Sequence, residues 1–429
     1  MSRSLDVAAV QLQARDRDAF SGAFAGILAT VARAARDADL LVLPEGTIPG
    51  YVLGHQPLDE RSIAAALAEL ASVARENATV IVVGAAVADG GVLRNGAVVI
   101  DADGSLAGRA DKLFLWHFDR RWFACGERLA PVRTSAGSLG VLVCADGRLP
   151  TISRELVDRG ADLLVMPTAW VTSGRDPDAL ENVQADLLAR VRAYENRVPF
   201  VAANKCGSEL GMVAYCGKSQ IVDARGEIVA IASERSPETL HASLTLDGER
   251  AVRAAPVLPA PAPAGERPPL RIAIAGSALP AGIDARLELL DDAYALAPDD
   301  TSRLEKLKRE LPAAAVDDQR ALDPGGLVAY RRAGYGLIVW SSDLGEPWLA
   351  RLARARALEL RLYVVAFDRR SGRAFAVDPD GAIVAGTFGD FHLASFTFDP
   401  RKTRETSVAP GTDVAEGLER IAALTGTQA

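Results

Sequence analysis

The sequence is poor in the residues that build metal and disulfide sites. It has four cysteines (Cys125, Cys144, Cys206, Cys216), none in a CxxC pair, and four widely separated histidines (His55, His117, His241, His392), with no HExxH. That spacing argues against a zinc site. No GxGxxG or GxxxxGK[ST] follows an apolar run, so nothing supports nucleotide binding. No run of about 18 apolar residues free of charge occurs, and the opening MSRSLDVAAVQLQARD has no apolar core of a secretory signal. The expectation is therefore a cytoplasmic protein with reduced thiols and no membrane partner. Basic clusters interleaved with aromatics are missing, and the net charge is −8, so no nucleic-acid partner is expected either.

What is present is an ordinary globular balance: 49% hydrophobic and 24% charged residues over 429 positions. That length predicts two domains. The stretch APVLPAPAPAGERPP (255–269) can be neither helix interior nor central strand, because each proline removes a backbone donor. It predicts a linker within 253–269, between a first domain over 1–252 and a second over 270–429.

In the first domain, short apolar runs alternate with helical patterns. Strands are expected at 6–12, 38–45, 78–87, 95–101, 139–145, 161–170, 199–205 and 219–224, and helices at 19–37, 61–77, 151–160 and 181–197. Near-continuous apolar strands spaced by helices predict an α/β fold with both sheet faces covered.

Internal echoes add to this. ADLLVLP (38–44) recurs as ADLLVMP (161–167), which suggests two related halves. RGADLLVM (159–166) resembles AGYGLIVW (333–340), LARVRAYENRVPFVAAN (188–204) resembles LARARALELRLYVVAFD (352–368), and SQIVDARGEIVA (219–230) resembles AFAVDPDGAIVA (374–385). The second domain thus reads as a smaller, shortened copy of the first. RIAIAGSALP (271–280), laid over LGVLVCADGRLP, would put Ala275 at the position of Cys144.

Three residues could carry chemistry. Cys144 ends the run LGVLV and precedes Pro150 and a helical stretch, where backbone donors and the helix dipole would favour a thiolate. Its expected pKa lies below the ordinary value of about 8.5. The amide of Ala145 would be placed to hold an oxyanion. Alone, a cysteine in such a run is also read as an inert small hydrophobe. Glu45 ends DLLVLPEG, at a strand mouth suited to a general base. Lys112 follows the turn-like DADGSLAGRAD and precedes LFLWHF, where its charge could neutralise a developing oxyanion. Each has a plain reading as a turn or surface residue; the order Glu, Lys, Cys is what sets them apart.

In that order the sequence resembles the nitrilase superfamily of carbon–nitrogen hydrolases. The resemblance rests on LLVLPEGTIPGY, GRADKLFLWHFDRRWFACGE, LGVLVCADGRLPTISRELVDRGADLLVMPTAW, RAYENRVPFVAANKCG and YCGKSQIVDARGEIVA, and covers about 1–250. It implies a four-layer αββα sandwich, with Cys144 as nucleophile, Glu45 as proton carrier and Lys112, with the Ala145 amide, as oxyanion stabiliser. A cysteine acyl-thioester is the implied intermediate. No metal or organic cofactor is implied. The form CADGR resembles amidase branches, and the CWE form of true nitrilases is absent, which tilts the substrate toward a small linear amide. An N-carbamoyl amidohydrolase, an acyltransferase and a catalytically silent scaffold are the competing readings, and a homodimer is open.

The pattern departs from the family where many members carry a second glutamate. HFDRRWF offers Asp119 there, with Glu127 further on. His117 and Trp170 are further substrate-binding candidates. The second domain has no cysteine, so it is expected to be non-catalytic, covering a face of the first domain or closing its pocket.

Overall fold

An eleven-residue strand, β1 (Arg3–Gln13), forms the spine of one sheet. The computed structural model describes residues 2–55, 57–172, 180–263, 268–276, 293–297, 301–389 and 391–426. Contacts divide the chain into two units. Unit 1 holds residues up to Ala251 together with 409–412 and 420–426, and unit 2 holds most of the rest.

In unit 1, β1 is followed by β2 (Leu40–Val42), β3 (Val80–Asp89), β4 (Val92–Ile100), β5 (Leu106–Asp111), β6 (Val132–Thr134) and β7 (Gly137–Val141). Then come β8 (Leu163–Pro167), β9 (Phe200–Ala203), β10 (Lys205–Glu209), β11 (Val213–Cys216), β12 (Gln220–Val222), β13 (Ile228–Ile231) and β14 (Glu238–Leu246). The helices are α1 (Phe20–Ala34), α2 (Glu60–Asn77), α3 (Pro150–Asp158) and α4 (Ala189–Asn196). One sheet has the order β11-β10-β1-β2-β3-β4-β5, with β14 antiparallel along β1; the other has the order β13-β12-β9-β8-β7-β6.

The sheets face each other through β1, β2 and β3 on one side and β8 and β9 on the other. Helices α1 and α2 cover the outer face of the first sheet, and α3 and α4 pack on the second. The result is the expected four-layer αββα sandwich. Helix α1 buries Phe20, Phe24, Ile27, Val31 and Ala34, the spacing of one helical face. Its two internal glycines, Gly22 and Gly26, each cost about 1 kcal/mol relative to alanine. Each large buried side chain contributes about 1.5–3 kcal/mol, so packing, not propensity, holds this helix. Helix α2 starts at Asp59, whose carboxylate accepts from the Arg61 and Ser62 amides.

Six strands were not expected: β5, β6, β10, β11, β13 and β14. Strand β14 reads ETLHASLTL, a period-two alternation without a continuous apolar run. The strand expected over 38–45 ends at Val42, which leaves Glu45 in the turn beyond it. That turn lies against β3 because residue 84 is glycine. A Cβ there would be 2.4 Å from the Glu45 Cα and 2.5 Å from the Pro44 carbonyl oxygen. The Gly84 amide instead donates to that oxygen at 3.2 Å.

Unit 2 contains β15 (Leu270–Ala275), β16 (Ala293–Leu296), β17 (Ala313–Val316), β18 (Leu337–Ser342), β19 (Tyr363–Asp368), β20 (Arg373–Val377), β21 (Ile383–Gly386) and β22 (Leu393–Phe398). Its helices include α5 (Thr301–Glu310), α6 (Asp318–Leu322), α7 (Pro324–Arg332) and α8 (Trp348–Leu360). Its larger sheet, β17-β18-β19-β20-β21, follows the order and directions of β7-β8-β9-β12-β13. The registers coincide. Leu139 faces Leu163 as Ala313 faces Leu337, and Phe200 faces Val222 as Val364 faces Val377. Both sheets slip at the same place, between Ile221 and Val222 and between Ala376 and Val377.

A buried arginine repeats as well. Arg192 Nε donates to the Gly147 carbonyl at 2.9 Å and its Nη1 pairs with Glu195 at 2.8 Å. Arg356 Nε donates to the Ala321 carbonyl at 2.8 Å and its Nη1 pairs with Glu359 at 2.9 Å. Counting back three residues from Gly147 and Ala321 aligns Cys144 with Asp318. The overlay that put Ala275 at that position is thereby overturned. Strand β15 lies between β16 and β22 in a separate sheet, and the strand beside β18 is β17. Short apolar runs of similar composition carry too little register information to tell the two apart.

Gly84→Ala is expected to push the Glu45 turn off β3 and to cost about 1–3 kcal/mol through overpacking. Denaturant unfolding measures this, and a midpoint equal to the parent's would show that the turn gives way freely.

Candidate active site

The turn after β2 places Glu45, and its backbone amide donates to the Thr168 carbonyl beyond β8 at 3.2 Å. The Glu45 carboxylate is fully buried. Its Oε1 accepts from Asn95 Nδ2 at 2.7 Å and from Lys112 Nζ at 2.8 Å. Its Oε2 is buried and has no hydrogen-bond partner. Lys112 follows β5 and donates its amide to the Asn95 carbonyl. Its ammonium also pairs with Asp119 Oδ2 at 2.7 Å, with both side chains fully buried. Asp119 accepts further from Tyr51 Oη at 2.8 Å and from the Trp116 amide at 2.9 Å.

Burial by itself would pull the Lys112 pKa down. The charges of Asp119 and Glu45 outweigh it and hold the pKa well above the usual lysine value. Lys112 is therefore a fixed cation.

Cys144 opens a short 3-10 turn, Cys144–Arg148, with φ +47° in the left-handed region. Asp146 in this turn accepts from the amides of Val143, Leu113 and Phe114 at 3.0, 3.0 and 2.7 Å. One carboxylate thus ties the cysteine's turn to the residues after Lys112. Ala145 is the turn's second residue and is buried.

The stabilised thiolate expected for Cys144 is not found. Burial, followed by the charge of Glu45, pushes the thiol up to about 12, against the opposing pull of Lys112, the Thr168 hydroxyl and the Ala169 amide. Helix α3 begins only at Pro150, so Cys144 has no helix N-terminus of its own. The sulfur rests as a thiol with a carboxylate beside it.

Trp170 lies beyond β8, and its amide donates to Asn204 Oδ1 at 2.8 Å. It is buried, and its indole Nε1–H has no partner. His117 is not part of this cluster. At φ +46° its side chain turns outward, is exposed, and leans edge-on against Phe118.

Sequence reasoning missed Asn95, Tyr51 and the pair Lys205–Glu209. Lys205 Nζ bridges Glu209 at 2.6 Å and the Gly46 carbonyl at 3.0 Å, while Glu209 accepts the Val52 amide, so this buried pair fixes the loop that presents Tyr51. A polar residue opening an apolar strand, as Asn95 does in NGAVVID, was the one available signal. Among the described residues no group of three or more His, Cys, Asp or Glu side chains could hold a metal. No described helix is long and apolar enough to cross a membrane.

A nitrilase-like sandwich with buried Glu, Lys and Cys side chains at its sheet ends defines the class. The chain belongs to the carbon-nitrogen hydrolase family, whose profile matches residues 6–254. It is 31% identical over 248 residues to an (R)-stereoselective amidase of a Pseudomonas species, spanning 57% of this chain and 86% of that protein. It is 30% identical over 162 residues to a probable nitrilase of Schizosaccharomyces pombe, spanning 38% of this chain and 57% of that protein. Among solved structures it resembles a glutamate-to-glutamine mutant of an amidase from Nesterenkonia sp. AN1, which shows covalent addition of the acetamide moiety of fluoroacetamide at the active-site cysteine. That match has a TM-score of 0.51 and 27% identity, and covers 56% of this chain and 90% of the other. The resemblance to the nitrilase superfamily read from the three motifs is borne out.

The raised thiol pKa has a direct readout. The ultraviolet thiolate absorbance of the parent, less that of Cys144→Ser, should show no step below about pH 10. Glu45→Gln removes the anion that raises it, so the step should move to lower pH; a step near pH 7 in the parent would contradict this electrostatic account.

Proposed function

We propose that the first unit hydrolyses the carbon–nitrogen bond of a small, linear, non-peptide amide through a thioester on Cys144. The observation that carries this reading is the asymmetry of Glu45. One oxygen is saturated by Asn95 and Lys112, and the other is buried and open. An acid so divided is oriented and still able to accept one proton.

The steps follow from the geometry. Cys144 Sγ attacks the amide carbon as Glu45 takes the thiol proton, so no resting thiolate is needed. In this reading the Lys112 ammonium and the Ala145 amide stabilise the developing oxyanion. Glu45 then gives its proton to the leaving nitrogen, and the carbon–nitrogen bond breaks to leave the acyl-thioester and ammonia or an amine. Water, deprotonated by Glu45, attacks the thioester, releasing the carboxylic acid and restoring the thiol.

Asp119 stands in for the second glutamate of the family pattern, holding Lys112 and Tyr51 in register. The unpartnered Trp170 indole N–H supplies a donor for the substrate's polar end. His117, exposed, takes no part. The same triad could act on a ureido carbon, and the products separate the two, because a carbamoyl substrate yields carbon dioxide along with ammonia.

For unit 2 we propose a shortened copy of the half-fold that carries Cys144, without the chemistry. Asp318 holds the nucleophile's place. Its carboxylate is fixed there by Trp340 Nε1 at 2.9 Å and by the Asp343 amide at 2.9 Å. A carboxylate bound in this way forms no thioester.

Ammonia release from a series of short neutral amides tests the reading. Cys144→Ala should reduce turnover to background, and Lys112→Ala should lower it by at least about 100-fold, the scale of losing one oxyanion donor. A mechanism-based electrophile such as fluoroacetamide should label one site per chain and none in Cys144→Ala. Turnover by Cys144→Ala, or a second labelled site in unit 2, would refute it.

A further inference from the structure

The loop between Lys112 and Gly126 is closed by its own ends, since the Gly126 amide donates to the Lys112 carbonyl at 2.8 Å. Its inner side is held by carboxylates. Asp146 takes the amides of Leu113 and Phe114, and Asp119 takes that of Trp116. In its outer turn, His117–Arg121, the cluster holds the Asp119 side chain through Lys112 and Tyr51, and the turn's opening residue is tied elsewhere. That turn begins with a non-glycine residue at φ +46°, whose ring is exposed and cannot anchor it. A backbone of this kind costs about 1–3 kcal/mol and persists only where its surroundings over-determine it.

The support comes from the far end of the sequence. The His117 amide donates to Thr412 Oγ1 at 2.7 Å, and Arg120 Nε donates to the Gly411 carbonyl at 3.0 Å. Arg420 Nη2 donates to the Gly126 carbonyl at 2.7 Å, at the loop's other end. Residues 411, 412 and 420 belong to unit 1 by their contacts, although about 290 residues separate them in sequence from their partners. Thr412 is 1% exposed, so its hydroxyl has little access to water as an alternative.

From these contacts we infer that Thr412, Gly411 and Arg420 are positioning residues for the Lys112–Asp119 pair: the first unit completes its active-site loop only with the end of the chain in place. This rests on the catalytic reading of Lys112 given above. The link is short. Asp119 lies two residues from His117, and its carboxylate approaches the Lys112 ammonium at 2.7 Å. If the turn relaxes from φ +46°, Asp119 shifts, and the cation that faces the oxyanion shifts with it. A misplacement of about 1 Å at reacting groups can cost about 100-fold in rate.

The test uses the full chain with Thr412→Val, Thr412→Ser and Arg420→Met. Thr412→Val keeps the shape and removes the acceptor. It should lower kcat at least about tenfold with KM within about twofold, the signature of an interaction expressed in the transition state. Thr412→Ser should restore most of the loss. Amide hydrogen exchange at 117–122 should quicken in Thr412→Val, a readout that needs no turnover. If Thr412→Val does not fold, Arg420→Met, at a half-buried site, carries the same two readouts. Parental kcat and exchange in these variants would overturn the inference. So would a loss of kcat, KM and thermal midpoint together that serine does not rescue, since that marks a purely structural role. A parent chain that hydrolyses no amide would sink the proposed function instead, and the exchange measurement would still decide whether the end of the chain orders the loop.

Discussion

The site depends on one cation, the fully buried Lys112 ammonium. An ammonium removed from solvent costs several kcal/mol unless charge and hydrogen bonds replace its hydration. Lys112 meets this with Glu45 on one side and Asp119 on the other, at 2.8 and 2.7 Å. The rest of the local architecture follows from that demand. Asn95 shares the Glu45 oxygen that Lys112 uses, and Tyr51 takes the remaining Asp119 oxygen. The second Glu45 oxygen is then the one buried acceptor of the triad left open. The same cluster keeps the sulfur protonated, because an additional anion beside Glu45 is disfavoured in so dry a place. In the proposed mechanism, proton transfer to Glu45 and attack by the sulfur would then be a single coupled step.

Much of this was legible in the sequence, for an identifiable reason. Glu45, Lys112 and Cys144 each end or adjoin a strand, and strand ends are where a sheet presents chemistry to a cleft. The α/β class with both sheet faces covered was legible because α1 and α2 keep helical spacing and the central strands are nearly unbroken apolar runs, and the four layers were what the resemblance of the three motifs implied. Other features had no local signature. Strand β14 is polar on alternate residues, and β10 and β11 carry Glu209 and Tyr215, which read as loop until their partners are known. Asn95 and Tyr51 act through contacts 50 and 68 residues distant in sequence. The thiol's protonation was misread because position relative to a helix was weighed and burial beside a carboxylate was not.

The two units show which parts of such a half-fold are architecture. Strand order, register, the slip in the edge ladder and the buried Arg–Glu pair are common to both. What differs is the residue at the end of the strand beside the central one, Cys144 in one and Asp318 in the other. The shared arginine holds the carbonyls of the turn, not the reactive side chain, so the turn survives whatever residue it presents. That separation explains how an echo strong enough to be seen in sequence can coexist with a changed site, and why aligning short apolar runs selected the wrong strand.

The left-handed backbone at Cys144 has one more consequence. A branched or ordinary side chain is uncomfortable at φ +47°, whereas glycine is at ease there. Cys144 therefore occupies a position that folding alone would assign to the smallest residue, and the native state tolerates about 1–3 kcal/mol of conformational discomfort at this point. Cys144 thus sets a side chain where the backbone favours glycine, a local cost that the surrounding fold carries.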